Sequence, residues 1–93
     1  MILKATEFAA NKHRGQFRKG NLNTPYINHP IKVAYILERA GIDDEEILAA
    51  AILHDVIEDT DVTYSDIKNI FNERVADIVL EVSDDKELTR EER

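Results

Sequence analysis

An all-α domain is what this sequence predicts. Apolar residues recur at helical spacing through most of the chain, and no segment alternates with period two for long enough to suggest a sheet. Three Gly and two Pro fall between the periodic stretches and punctuate them. At 93 residues there is room for one domain, spanning 1–93, and the pattern divides it into about five helices.

The first helix is expected over residues 2–14, where Leu3, Ala5, Phe8, Ala9 and Ala10 share helical spacing and Gly15 offers a stop. Residues 15–28 (GQFRKGNLNTPYIN) are rich in Gly, Asn and basic side chains and read as a loop. Pro30 opens the second helix, whose first turn tolerates a missing N–H. Ile31, Val33, Ala34, Ile36 and Leu37 supply its buried stripe, and Gly41 ends it where a left-handed residue is needed. The third helix, over 44–56, takes Asp43 as its cap with Glu46 in the first turn. Ile47, Leu48, Ala49, Ala50, Ala51, Ile52, Leu53 and Val56 make it apolar nearly all round, so it belongs at the centre. Its alanines let neighbouring helices come close. Thr63 with Asp66 caps a fourth helix carrying Ile67, Ile70 and Phe71, and a fifth over 74–83 carries Val75, Ile78, Val79 and Val82. Leu88, Thr89 and Glu92 then fit a capping box with its preceding apolar residue, just before Arg93. Either a further helix begins there or the tail is charged and solvated.

Composition removes several function classes. With 19 acidic against 12 basic residues the net charge is −7, which argues against a general nucleic-acid binder, since that needs a basic face to displace phosphate counterions. A phosphorylated small molecule remains compatible, because a bound divalent cation and a few basic residues reverse the sign locally. The absence of Cys excludes disulfides and thiolate metal sites. No apolar run spans a bilayer and no signal-peptide pattern is present, so a cytoplasmic protein with no membrane partner is expected.

The polar residues that fit the core poorly carry the chemistry. His54 and Asp55 follow the most hydrophobic stretch of the chain, and Glu58, Asp59 and Asp61 come directly after. Four carboxylates and an imidazole crowded there are costly unless something positive gathers them. A divalent cation would do so, and His with carboxylate suits Mn, Fe or Zn. The plainer alternative has His54 capping the helix C-terminus and the acids lining a solvated loop. His29, just before the second helix, is the remaining nitrogen that could complete a site with His54 and Asp55. His13, near the end of the first helix, reads as structural or exposed. Arg14, Arg18 and Lys19 make a basic cluster in an acidic chain, fit either for phosphate or for solvent.

Taken together, HRGQFRKG, TPYINHPIKVAYIL, ILAAAILHDVIEDTDVT and FNERVADIVLEVSDDK resemble the hydrolase domain of the RelA/SpoT homologues, within the HD superfamily. The likeness is greatest to the small stand-alone alarmone hydrolases and covers residues 3–86. It implies a compact helical fold that binds Mn²⁺ through His29, His54 and Asp55. It further implies that Glu58 and Asp59 activate or position the attacking water and that Arg18 and Lys19 contact the nucleotide. The implied reaction removes the 3′-pyrophosphate of guanosine 3′,5′-bis(diphosphate). Removal of the 2′-phosphate of NADPH, and an inactive nucleotide-binding or regulatory module, are the alternatives that the resemblance leaves open. The family adds an Asp ligand from a later segment resembling NLRD, which this chain does not match. The chain is therefore expected to be a fragment lacking C-terminal helices, and its exposed apolar surface would favour a homo-oligomer.

Overall fold

The computed structural model describes residues 1–18 and 20–82. Among these the helices are α1 (Ile2–Lys12), α2 (Asn28–Arg39), α3 (Glu45–Asp59), α4 (Tyr64–Ile70) and α5 (Glu73–Val82). Between α1 and α2 lies an antiparallel hairpin of β1 (Phe17–Arg18) and β2 (Asn21–Pro25). The expected capping box around Thr89 lies outside the described residues.

α3 is the centre, as its apolar circumference predicts. Leu48, Ala49, Ala50, Ala51, Ile52, Leu53, Asp55 and Val56 are all buried on it, and α1, α2 and α5 pack around it. Ala5 and Ala9 of α1 are as fully buried as Ala49 and Ala50, so the approach of these helices rests on small side chains. α4 packs against α5.

The helix ends follow local chemistry. α2 closes with Ile42 N–H donating to Leu37 O and Gly41 N–H donating to Glu38 O, the paired bonds of a Schellman ending. That ending needs a left-handed residue, and Gly41 supplies it at φ 104°. The cap of α3 is Asp44, not Asp43: its Oδ1 accepts from the N–H of Glu46 at 2.9 Å and of Ile47 at 3.4 Å. Thr63 and Asp66 form the expected reciprocal capping box on α4. Asn72 Oδ1 accepts the Val75 N–H and opens α5.

Three boundaries differ from the expectation. α1 ends at Lys12, and Gln16 N–H turns back onto His13 O. The segment 15–28 is not wholly loop, because Tyr26 N–H donates to Gln16 O and closes the hairpin. An irregular register between Phe17 and Arg18 hides any alternation there. α3 runs one turn further, to Asp59, where the Thr60 hydroxyl and N–H both bond to Val56 O. Burial also narrows the stripe of α2: Pro30 and Ala34 are buried, whereas Ile31 and Ile36 are exposed. Leu3 of α1 is likewise exposed. No described helix is long and apolar enough to cross a membrane.

Candidate metal centre

The apolar packing of α2 against α3 brings three side chains to one place. Ligand atoms of His29, His54 and Asp55 all lie within 4.8 Å of one another. His29 sits in the first turn of α2 rather than before it, and its Nε2 is 3.9 Å from Asp55 Oδ2. His54 Nε2 is 3.1 Å from Asp55 Oδ1. Because α3 continues to Asp59, His54 is an interior helical residue and not a C-terminal cap.

The donor chemistry fits a first-row divalent cation. His54 Nδ1 is 2.6 Å from the Ala51 carbonyl oxygen, so a neutral ring carries its proton at Nδ1 and turns the Nε2 lone pair to Asp55. Two acceptors at that separation repel unless a positive charge joins them. Ligands about 2.1 Å from a common ion and at right angles to each other are about 3 Å apart, close to the His54–Asp55 spacing. Burial lowers the pKa of His29, and the charges of Arg18, His54 and Lys32 lower it further, against the opposing pull of Asp55. The neutral, metal-binding form of the ring is thereby favoured.

Asp55 is only 9 % exposed, and its orientation is held from outside the trio. The Tyr26 hydroxyl donates to Asp55 Oδ2 at 2.8 Å. Burial, that hydrogen bond and the charges of Asp55 and Asp59 push the Tyr26 pKa far above the ordinary phenol range, so the hydroxyl keeps its proton to donate. His13 packs on Tyr26 with ring centroids 4.8 Å apart and the planes tilted by 36°. It is 3 % exposed, with Nδ1 paired to Gln16 Oε1. This is a structural histidine, buried rather than at the surface.

Glu58 and Asp59 lie on the last turn of α3, not in a loop. They stand three and four residues beyond Asp55, so they share its face. Glu58 is half-buried and Asp59 exposed. Arg18, on β1, lines a cleft of about 390 Å³ with Thr24, Asn28, His29 and Lys32. Lys19 lies outside the described residues. Arg14 is directed elsewhere, to Asn11 Oδ1.

Two residues at this site escape the sequence reading. Tyr26 stands three before His29 in the YINHP segment and supports Asp55. Lys32 stands three after His29, a helical spacing that puts both on one face of α2.

Comparison with known proteins agrees with this architecture. The family profile of the HD domain matches residues 5–93. The chain is 50% identical over 94 residues to the guanosine-3′,5′-bis(diphosphate) 3′-pyrophosphohydrolase MESH1 of Danio rerio, covering 100% of this chain and 52% of that protein. It is 53% identical over 93 residues to MESH1 of Homo sapiens, again covering 52% of it. The bifunctional (p)ppGpp synthase/hydrolase SpoT of Escherichia coli is 47% identical over 75 residues, which is 81% of this chain and 10% of SpoT. A solved structure described as a metazoan ortholog of SpoT that hydrolyzes ppGpp superposes with a TM-score of 0.86 at 47% identity. That superposition covers 99% of this chain and 52% of the other. The chain spans about half the length of the MESH1 relatives it matches.

Proposed function

Because this chain belongs to the HD-domain family, we propose that it forms the metal-binding part of a hydrolase that removes the 3′-pyrophosphate of guanosine 3′,5′-bis(diphosphate). The single observation that carries the reading is the convergence of His29, His54 and Asp55 within 4.8 Å, in a chain about half identical to proteins named for that reaction. Manganese is the ion we assign, held by those three side chains, with the mixed nitrogen and carboxylate donors in support. Bound there, a divalent cation supplies Lewis acidity and lowers the pKa of its water towards neutrality.

The chain's own residues do the rest. Tyr26 fixes the Asp55 carboxylate, and the Ala51 carbonyl fixes the His54 ring. Glu58, half-buried beside them, takes the proton of the attacking water as general base. Asp59 positions that water from the exposed side. Arg18, with Lys19 as its expected companion, binds the nucleotide beside the centre, where positioning and charge stabilisation dominate phosphoryl chemistry.

The test is pyrophosphate release from guanosine tetraphosphate in Mn²⁺, with His54→Ala and Glu58→Gln alongside. Turnover by the chain that vanishes in His54→Ala and falls at least about a hundredfold in Glu58→Gln supports the assignment. Nucleotide binding without turnover would point instead to a binding module. Absence of both binding and turnover would overturn the reading.

A further inference from the structure

Lys32 carries a charge that the reaction as assigned above leaves unused. It lies one helical turn beyond His29 on the same face of α2, and it borders the cleft that Arg18, Thr24, Asn28 and Ile36 also line. His29 lines the same cleft, so the two cations share it with the metal-facing histidine. A lysine on an exposed helix face ordinarily meets an acid one turn away. Here the residues at those spacings are Asn28, His29, Tyr35 and Ile36. Among the described residues neither Lys32 nor Arg18 forms an ion pair. In a chain of net charge −7, two cations without an ion pair sharing one cleft make a local patch of positive potential.

We propose that Lys32 and Arg18 form an anion subsite, adjoining the metal centre at His29, that receives the phosphate group of the nucleotide that is not cleaved. The subsite deepens the hydrolase reading and rests on it for the identity of the nucleotide. Lys32 meets that group as a mobile point charge, whereas Arg18 offers a planar fork for two oxygens. The affinity of the chain for a guanine nucleotide then rises with the number of phosphates at the 5′ end. Since this end survives hydrolysis, the product occupies the same subsite and competes with substrate.

The experiment is a calorimetric titration of the chain in EDTA with guanosine 5′-diphosphate and guanosine 5′-monophosphate, so that the metal takes no part. The diphosphate should bind more tightly, and Lys32→Ala should weaken it about fivefold while narrowing the gap between the two ligands. Alanine is the best helix former and position 32 is exposed, so the variant keeps its fold. Lys68→Ala, which removes the same charge from α4 outside the cleft, should leave the affinity unchanged. Equal diphosphate affinity in the wild type and Lys32→Ala, or no binding to either, overturns the subsite. Turnover of guanosine tetraphosphate in Mn²⁺, measured in parallel, keeps the two ideas apart. Turnover with an unaltered KM in Lys32→Ala removes the subsite and leaves the hydrolase. Lys32-dependent binding without any turnover supports the subsite and removes the hydrolase.

Discussion

Asp55 is the residue on which the centre turns, and what sets its geometry is a tyrosine. A carboxylate between two imidazoles has several rotamers open to it, and the Tyr26 hydroxyl at 2.8 Å selects one. Tyr26 is held in turn by the His13 ring packed against it and by its own backbone bond to Gln16. Tyr26→Phe keeps the ring and removes only the donor. It should weaken Mn²⁺ binding about tenfold, as read by electron paramagnetic resonance of the free ion, with the melting temperature in EDTA little changed. Undiminished Mn²⁺ affinity would mean that Asp55 is oriented without the tyrosine. His29 makes a second prediction, on pH. Its folded pKa lies below its unfolded value, so the unfolded chain takes up a proton first as pH falls. Its contribution to stability is complete above the ordinary imidazole value of about 6.5 and is lost as pH drops through it. Urea unfolding in EDTA should therefore show stability declining from pH 7 to pH 5.5. His29→Asn should flatten part of that slope, and an unchanged slope would refute the assignment.

At the scale of the element, the helices were legible because each carries its own start, stripe and stop. Thr63 with Asp66 and the Gly41 ending need only local sequence, and both form as expected. What was not legible depends on partners far along the chain. Asp44 wins the cap of α3 over Asp43 and also meets Arg74 of α5, thirty residues away. The last turn of α3 is polar, so apolar periodicity stopped short of it, although it carries Glu58 and Asp59. The three candidate ligands stand out in sequence as polar residues misplaced against an apolar run, and the fold brings them together. Tyr26 and Lys32 have no such contrast with their neighbours, and only the fold places them beside the candidate ligands. The Asp44–Arg74–Glu46 cluster ties the start of α3 to α5, with Arg74 contacting Asp44 Oδ2 at 2.9 Å and Glu46 Oε1 at 2.5 Å. Hydrogen bonds from Arg74 hold both carboxyls below their usual pKa. Their stabilisation is present above the unfolded carboxylate values and lost as pH falls through the folded ones. Arg74→Ala should shift the acid-unfolding midpoint upward in pH, followed by circular dichroism; an unmoved midpoint would show that the cluster is merely solvated.

At the scale of the whole molecule, two of the three candidate ligands stand on the most enclosed helix. α3 is enclosed by α1, α2 and α5, and Leu53, with no exposed surface, precedes His54 directly. Leu53→Ala should cost about 3 kcal/mol of stability through lost burial and the cavity left behind. A bound ion would add a polar tie to the apolar packing that already joins α2 and α3, because His29 comes from α2 while His54 and Asp55 come from α3. An ion that binds only the folded chain stabilises it by about 2.7 kcal/mol when present at a hundred times its dissociation constant. For a domain of this size that is a rise in Tm on the order of 10 °C. Thermal melts with Mn²⁺ against EDTA should show that rise in the wild type and lose it in His54→Ala. Magnesium should give less, since it prefers oxygen donors and an octahedral shell that keeps its waters. Equal stabilisation of wild type and His54→Ala by Mn²⁺ would locate the ion elsewhere, among the exposed acids, and the hydrolase assignment would lose its centre.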